Sequence, residues 1–346
     1  MRIVCAGDQF IAPQLFVDAL RSELGEGHEF VTIQSSWPYE PMHNESDVLE
    51  WVGDEEQLKE LSREADVFVT HLAPVTGGVI GAAEHLRIIG CSRGGPVNVN
   101  VKVATRRGIP VVNTPGKNAP ATAEFAIGLL LAGIRRIPQA ATDLRQGHWA
   151  GELYAYGEAG SELCGRTVGV IGLGQVGARV ARILVGFEAR VLGFDPYVNV
   201  DFARKLGVEL VDLSRLLAES DVITLHARLT AETRGVIGRD ALSQMKRGSY
   251  LVNAARGGLL DYAALTDAVA SGHLAGAALD VFDEEPPAPD SALLKLPQIT
   301  TTPHIAGASR ETAHRGAEQI AAEIGRFVRG EPLLACVNPD ALRRGE

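Results

Sequence analysis

The chain has 346 residues, of which 46% are apolar and 22% charged, with a formal net charge of −10. That length exceeds what one hydrophobic core usually holds, so two domains are expected, and the balance is that of a folded protein rather than a disordered one. The acidic excess argues against nucleic acid or an anionic membrane as the main partner, because either calls for a basic surface.

Met1 to Thr114 holds four predicted strands, RIVCAG, ADVFVT, LRIIGC and IPVVNT. The opening MRIVCAGDQF lacks the apolar core and cleavage signal of a secretory peptide. The four cysteines Cys5, Cys91, Cys164 and Cys336 are far apart, with no metal-ligand spacing and no small disulfide framework. A reduced, cytoplasmic protein without a metal is the simplest reading. Within this half, the stretch Gln34 to Gln57 carries Trp37, Tyr39 and Met42, which could line a wide pocket, but packing on their own domain is the favoured reading. The stretch NTPGKNAP closes the half with the punctuation of a hinge.

Next comes a helix-like run, ATAEFAIGLLLAGIRRIPQAATDLRQG, apolar on almost all sides, which implies burial in its domain or against another subunit. Its apolar centre, Phe125 to Ile134, is too short to cross a bilayer. Six further predicted strands follow: TVGVIG, ARVLGFD, DVITLH, SYLVNAA, GAALDVF and ITTTPHI. Continuous apolar strands separated by helix-length segments imply parallel sheets covered on both faces, an α/β fold.

TVGVIGLGQVGARVARIL places Gly172, Gly174 and Gly177 in a GxGxxG between a strand and an amphipathic helix. Gly172 permits the tight turn, Gly174 lets a pyrophosphate approach the backbone, and Gly177 lets the helix lie close to the strand. The next strand ends in Asp195, 18 residues after Gly177. An acid there accepts hydrogen bonds from the adenosine ribose and repels a 2′-phosphate, so NAD is expected over NADP.

Three later strand ends fall on the same sheet edge. SYLVNAA is followed by Arg256, with Gly257 and Gly258 keeping the backbone free of bulk and Asp261 as a helix N-cap; GAALDVF leads to Glu284 and Glu285; ITTTPHI delivers His304. A guanidinium can hold a carboxylate or polarise a carbonyl. An imidazole titrating near neutrality can exchange a proton with that carbonyl's oxygen, and a carboxylate on its far nitrogen would fix the ring and favour its protonated form.

With these motifs in view, the sequence resembles the D-isomer-specific 2-hydroxyacid dehydrogenase family. The resemblance rests on GLGQVG, DVITLH, LVNAARGGLLD, ALDVFDEEP, TPHIAGAS and NTPGKNAPATAEFAIGLLLA, and runs from about Leu86 to the end. It implies two Rossmann-like or flavodoxin-like domains with parallel sheets and an active site in the cleft between them. The substrate domain would be discontinuous, residues 1–116 plus 306–346, with an NAD-binding Rossmann domain, 117–305, inserted and hinges near Pro115 and Pro303. It implies catalytic Arg256, Glu285 and His304, with Glu285 preferred to Glu284 because it directly precedes the proline. The expected cofactor set is Gly172, Leu173, Gly174, Gln175, Val176, Gly177, Asp195, His226, Ala254 and Asp280. The substrate set is Arg93, Gly94, Gly95, Arg256 and His304, with the carboxylate held partly by amides of the loop Cys91 to Asn98. A homodimer, with the apolar helix at its interface, is also implied.

The chain departs from the family pattern in places. Asn100 stands where an acid is common, Arg228 where many members have proline, and VTHLAPVTG lacks the arginines that meet a phosphate in phosphoglycerate-oxidising members. The short C-terminus leaves no room for the regulatory domain many of those enzymes append. The expectation is therefore an NAD-dependent oxidoreductase acting on a D-2-hydroxy acid and 2-keto acid pair, without a nucleic-acid or membrane partner. The alternatives are an NAD(H)-sensing scaffold resembling corepressors, and a phosphoglycerate dehydrogenase drawing cations from Arg93 or Arg135.

Overall fold

The computed structural model describes residues 1–38, 42 and 46–345, so Tyr39 lies outside the described residues. The chain divides into two compact units, Met1–Lys117 with the chain from Ser309 onward, and Asn118–Ala308.

The first unit is built on five parallel strands, β1 (Arg2–Gly7), β2 (Glu29–Gln34), β3 (Val67–Thr70), β4 (Ile88–Cys91) and β5 (Val111–Val112), in the order β2-β1-β3-β4-β5. Period-two geometry sends successive side chains to opposite faces. Thus Ile3 and Cys5 join one core with Phe16, Leu20 and Ile320, whereas Val4 and Ala6 join another with Leu58, Ile80 and Ala104. Both faces are covered, which is why β1, β3 and β4 read as unbroken apolar runs. The last long helix, Arg310–Val328, seals one face; a side chain on Gly90 would come within 2.7 Å of Ile320.

The second unit holds seven parallel strands: β6 (Thr167–Ile171), β7 (Arg190–Phe194), β8 (Val208–Leu210), β9 (Val222–Leu225), β10 (Tyr250–Asn253), β11 (Gly276–Leu279) and β12 (Ile299–Thr301). Their order is β12-β11-β10-β9-β6-β7-β8, with the chain reversing direction across the sheet between β6 and β9. This is the doubly wound arrangement whose ligands bind at the carboxyl ends of the strands.

Two strands, β2 and β8, escape the sequence pattern, and both are edges. Half-exposed, they mix polar with apolar residues instead of reading as continuous apolar runs. The apolar helix of the second unit breaks in two, Ala119–Ile134 and Ile137–Arg145, with Arg136 at φ 52° between them. Pro138 cannot continue the first helix but fits the opening turn of the second. Ala123, Ala126, Ile127 and Leu130 bury the first helix against Val180 and Leu184 of its own unit. The second crossing between units falls at Ala308–Ser309 rather than after residue 305. Ser309 caps the helix that belongs to the first unit, accepting from Thr312 N, while Asp280 binds the amides of Ile305 and Ala306 to the second. Among the described residues no helix is long and apolar enough to cross a membrane.

Candidate active site

In the second unit every chemistry-bearing residue read from the sequence sits just past the carboxyl end of a strand. After β6, Gly172 adopts φ +89°, open to glycine alone, and a Cβ there would strike Ala227 N at 2.6 Å. A Cβ on Gly177 would lie 1.9 Å from Gly172 O, so the helix Gln175–Gly186 can start only on a glycine. Gly174 has open space beside it, and no side chain caps that helix. Gln175 is exposed and Val176 half-buried, whereas Leu173 has its side chain in the core. The carboxylate of Asp195, past β7, accepts from Leu173 N at 2.8 Å and Tyr197 N at 2.9 Å, which leaves lone pairs on both oxygens.

Across the reversal point, His226 follows β9. Its Nε2 is 2.9 Å from Thr224 Oγ1, and its buried Nδ1 has no partner among the described residues. Burial pushes this imidazole down to about 4, so it is neutral.

Past β10, Asn253 shapes the turn: its side chain accepts from Ala255 N at 3.1 Å and donates to Arg256 O at 3.0 Å. Ala254 is buried and Arg256 is exposed. Gly257 is required because a Cβ would meet Phe282 O at 1.7 Å; its smallness admits the neighbouring backbone rather than a ligand. Asp261 caps the following helix by accepting from Ala264 N at 2.9 Å.

Past β11 and β12 stand the acid and the imidazole. Glu285 Oε2 is 2.7 Å from His304 Nδ1, and Oε1 accepts from Phe282 N at 3.0 Å. Burial raises the Glu285 carboxyl, but the bonds from His304 and Phe282 outweigh it and hold the group below the usual range. The bond to Glu285 raises His304 against desolvation, with Arg256 opposing and Asp280 assisting through space. Glu284 is exposed and bonds only within its own loop, to Asp283. His304 has φ +52°, an unfavourable conformation for a side-chain-bearing residue. Asp280 holds it there: fully buried, it accepts from Thr302 Oγ1 at 2.7 Å, Ile305 N at 2.9 Å and Ala306 N at 2.8 Å. Arg228, past β9, is exposed.

The first unit carries its own set at the corresponding edge. Past β4, Gly94 and Gly95 are exposed, and their amides donate to no acceptor among the described residues. The Arg93 guanidinium is engaged by Glu50, pairing with its carboxylate and donating to its carbonyl at 2.9 Å. Asn98 is buried and braces the β3 loop through His71 O at 3.1 Å and Ala73 O at 2.9 Å. Asn100 caps the next helix, accepting from Val103 N at 3.0 Å, and bonds Asp47; a carboxylate thus returns from another segment to the place the sequence left neutral.

Residues 127–306 match the family model described as "D-isomer specific 2-hydroxyacid dehydrogenase, NAD binding domain". The chain belongs to that family. A D-3-phosphoglycerate dehydrogenase of Archaeoglobus fulgidus is 45% identical over 284 residues, 82% of this chain and 53% of that one. A glyoxylate reductase of Korarchaeum cryptofilum is 43% identical over 282 residues, 81% of this chain and 85% of that one. Among solved structures, a D-lactate dehydrogenase of Treponema pallidum superposes with a TM-score of 0.80 at 26% identity, covering 97% of this chain and 99% of that one. The chain spans about half the length of the phosphoglycerate dehydrogenases it matches.

NAD is the cofactor of this dehydrogenase family, and the second unit fits it. The uncapped helix start and open Gly174 suit a pyrophosphate, and Asp195 retains acceptors for ribose hydroxyls. Sequence reasoning missed a cluster in the first unit: Asp8, past β1, pairs with His71, past β3, at 2.7 Å, with Lys117 buried nearby. The available signal was a lone polar residue directly after each apolar strand, AGD and VTH.

Proposed function

We propose that this chain interconverts a D-2-hydroxy acid and its 2-keto acid, using NAD(H), with an unphosphorylated substrate preferred. The observation that carries the reading is the His304–Glu285 pair at 2.7 Å, on the strand edge that also carries the dinucleotide turn.

In keto-acid reduction, His304 gives a proton from Nε2 to the carbonyl oxygen as the carbonyl carbon is reduced; in the reverse direction it takes that proton back. Glu285 keeps Nδ1 protonated, fixes the ring plane and stabilises the charged imidazolium. The exposed fork of Arg256 holds the substrate's carboxylate or polarises the carbonyl, a task for which planar, permanently charged donors are suited. The free amides of Gly94 and Gly95, in the first unit, are suited to donating to a carboxylate oxygen. Arg93 shapes that loop through Glu50 instead of offering a free cation. The dinucleotide, when bound, supplies or accepts the hydride. Asp280 serves chiefly to hold the His304 loop, and Asp195 favours NAD over NADP. A homodimer is proposed from the run of exposed large apolar side chains Ile137, Leu144, Trp149, Tyr154 and Tyr156, which a folded monomer leaves in water.

A second reading, phosphoglycerate oxidation, is favoured by the names of several relatives. The deciding experiment follows NADH consumption with glyoxylate, hydroxypyruvate, phenylpyruvate and phosphohydroxypyruvate, using wild type, Arg256→Ala and His304→Ala. The expected result is turnover of an unphosphorylated acid that falls by a factor of about 100 to 10,000 in His304→Ala, the usual worth of a general acid. Turnover confined to phosphohydroxypyruvate selects the second reading. Tight NADH binding without any turnover refutes both and leaves a sensing role.

A further inference from the structure

The order β2-β1-β3-β4-β5 puts a topological reversal between β1 and β3, and a sheet of this kind binds ligands in the crevice just past the strand ends there. Asp8 and His71 occupy those two strand ends, 63 residues apart in sequence and 2.7 Å apart in space. Asp8 is fully buried, and its Oδ1 accepts from Phe10 N at 2.8 Å and Ile11 N at 3.0 Å, so it is fixed as a carboxylate. Its Oδ2 faces His71 Nδ1, which must therefore carry the ring's hydrogen. The other nitrogen, Nε2, is left as a bare acceptor. It bonds nothing among the described residues, and the residue is only 8% exposed.

Beside it stands Lys117, 7% exposed, with two of its three donors on Ser92 O and Ser92 Oγ. Phe10 forms a wall common to both groups, its ring centre 5.6 Å from the His71 ring and 5.9 Å from Lys117 Nζ, and Trp37 packs edge-on against it at 6.2 Å. Ser92 immediately precedes Arg93 and the free amides of Gly94 and Gly95. Ser92, which holds Lys117, thus leads directly along the chain into the loop read above as the carboxylate site. The charges here cancel in pairs, Asp8 with Lys117 and Arg93 with Glu50.

We propose that this crevice recognises a hydroxyl group of the substrate, so that the substrate is a hydroxylated, unphosphorylated 2-keto acid. The inference rests on the dehydrogenase reading above. A hydroxyl is the group that donates to His71 Nε2 and accepts from the third N–H of Lys117. A methyl satisfies neither. A phosphate, mostly a dianion near neutrality, has little hydrogen to offer Nε2 and finds no net positive charge to compensate it. Burial supports the same picture: desolvation pushes His71 down to about 4, keeping Nε2 unprotonated, and brings Lys117 down to about 8, still mostly charged near neutrality.

The test is NADH-dependent reduction of hydroxypyruvate, pyruvate and phosphohydroxypyruvate by the full chain as wild type, His71→Phe and His71→Gln. Sites built to bond a hydroxyl reject the analogue lacking it by large factors, so wild type should favour hydroxypyruvate over pyruvate in kcat/KM by about 100-fold or more. That ratio should fall at least about tenfold in His71→Phe, the worth of one hydrogen bond to a buried partner, and recover in part in His71→Gln. Should His71→Phe fail to fold, Lys117→Met is read by the same ratio. A wild-type ratio near unity, a ratio unmoved by the variants, or preference for phosphohydroxypyruvate overturns the proposal. If no keto acid is reduced, the dehydrogenase reading fails separately, and calorimetric titration with D-glycerate and D-lactate decides the hydroxyl site. Preference for D-glycerate lost in His71→Phe upholds it; equal binding of the two acids overturns it.

Discussion

Replacing Asp280 with asparagine separates two roles that its place past β11 allows, a cofactor ligand and a clamp on the His304 loop. The carboxylate accepts three bonds, two at Oδ1 from Thr302 Oγ1 and Ile305 N and one at Oδ2 from Ala306 N. Asparagine keeps a single acceptor oxygen. Its best placement retains the Oδ1 pair and turns an NH2 toward the N–H of Ala306, which is buried. A hydrogen bond to a charged group contributes about 1.5–3 kcal/mol and an unsatisfied buried donor costs about 1–3 kcal/mol, so the clamp weakens by about 2–4 kcal/mol. Opposing it is the left-handed conformation of His304, at φ +52°, which releases about 1–2 kcal/mol when the loop relaxes. The clamp is needed to outweigh that strain; without it the loop leaves and the 2.7 Å contact to Glu285 goes with it.

At 1.36 kcal/mol per factor of ten, the loss corresponds to roughly 30- to 1000-fold in kcat/KM for keto-acid reduction. Loss of the Asp280 charge also lowers the raised His304, which acts in the same direction. The assay pairs steady-state reduction with NADH binding followed by fluorescence, and NADH affinity should stay close to wild type. The reasoning is refuted if the NADH dissociation constant rises in proportion to the lost activity while kcat at saturating NADH is kept, for then Asp280 acts on the cofactor.

Two further outcomes follow from the same edge. In Glu285→Gln the bond that raises His304 loses its charge, so the imidazole titrates at lower pH. Reduction uses the protonated ring and declines as pH rises through its pKa; that decline should begin at lower pH in the variant, and an unmoved profile counts against the pair as the proton donor. In Asp195→Ser the acceptor at the β7 end is shortened and neutral, and the preference for NADH over NADPH should shrink by about tenfold, matching loss of one charge-assisted hydrogen bond. Dissociation constants for the two dinucleotides check it, and an unchanged ratio places the selectivity elsewhere.

Much of the second unit was legible because its information is local. The positive φ of Gly172 and the cap at Asp261 each depend on backbone within a few residues, and buried interior strands announce themselves as apolar runs. Strands β2 and β8 were not legible because an edge needs only one paired side and tolerates polar residues, as Glu29 and Glu209 show. The glycine at Gly257 was recognised for the right geometry but the wrong neighbour, since the approach of Phe282 O depends on a strand far along the chain. Arg93 reads as a free cation until Glu50, 43 residues earlier in the chain, is placed beside it.

On the proposed reading, the His71–Asp8 pair separates choice of substrate from the scaffold that carries it. Identity of 45% over 284 residues reports a shared scaffold, held by residues that must be buried or must turn, while function lives in the site carried on it. The group at a strand end has no such constraint: Thr70 and His71 leave the β3 core intact whatever follows them, because β3 is already buried along its whole length. Yet the hydrogen-bond polarity of the crevice is set there. With Asp8 holding Nδ1, His71 presents an acceptor; a guanidinium at the same strand end would present only donors and a net positive charge. One exchange at that position inverts what the crevice accepts, from a neutral donor to an anion, while fold, dinucleotide turn and proton-transfer pair stay as they are.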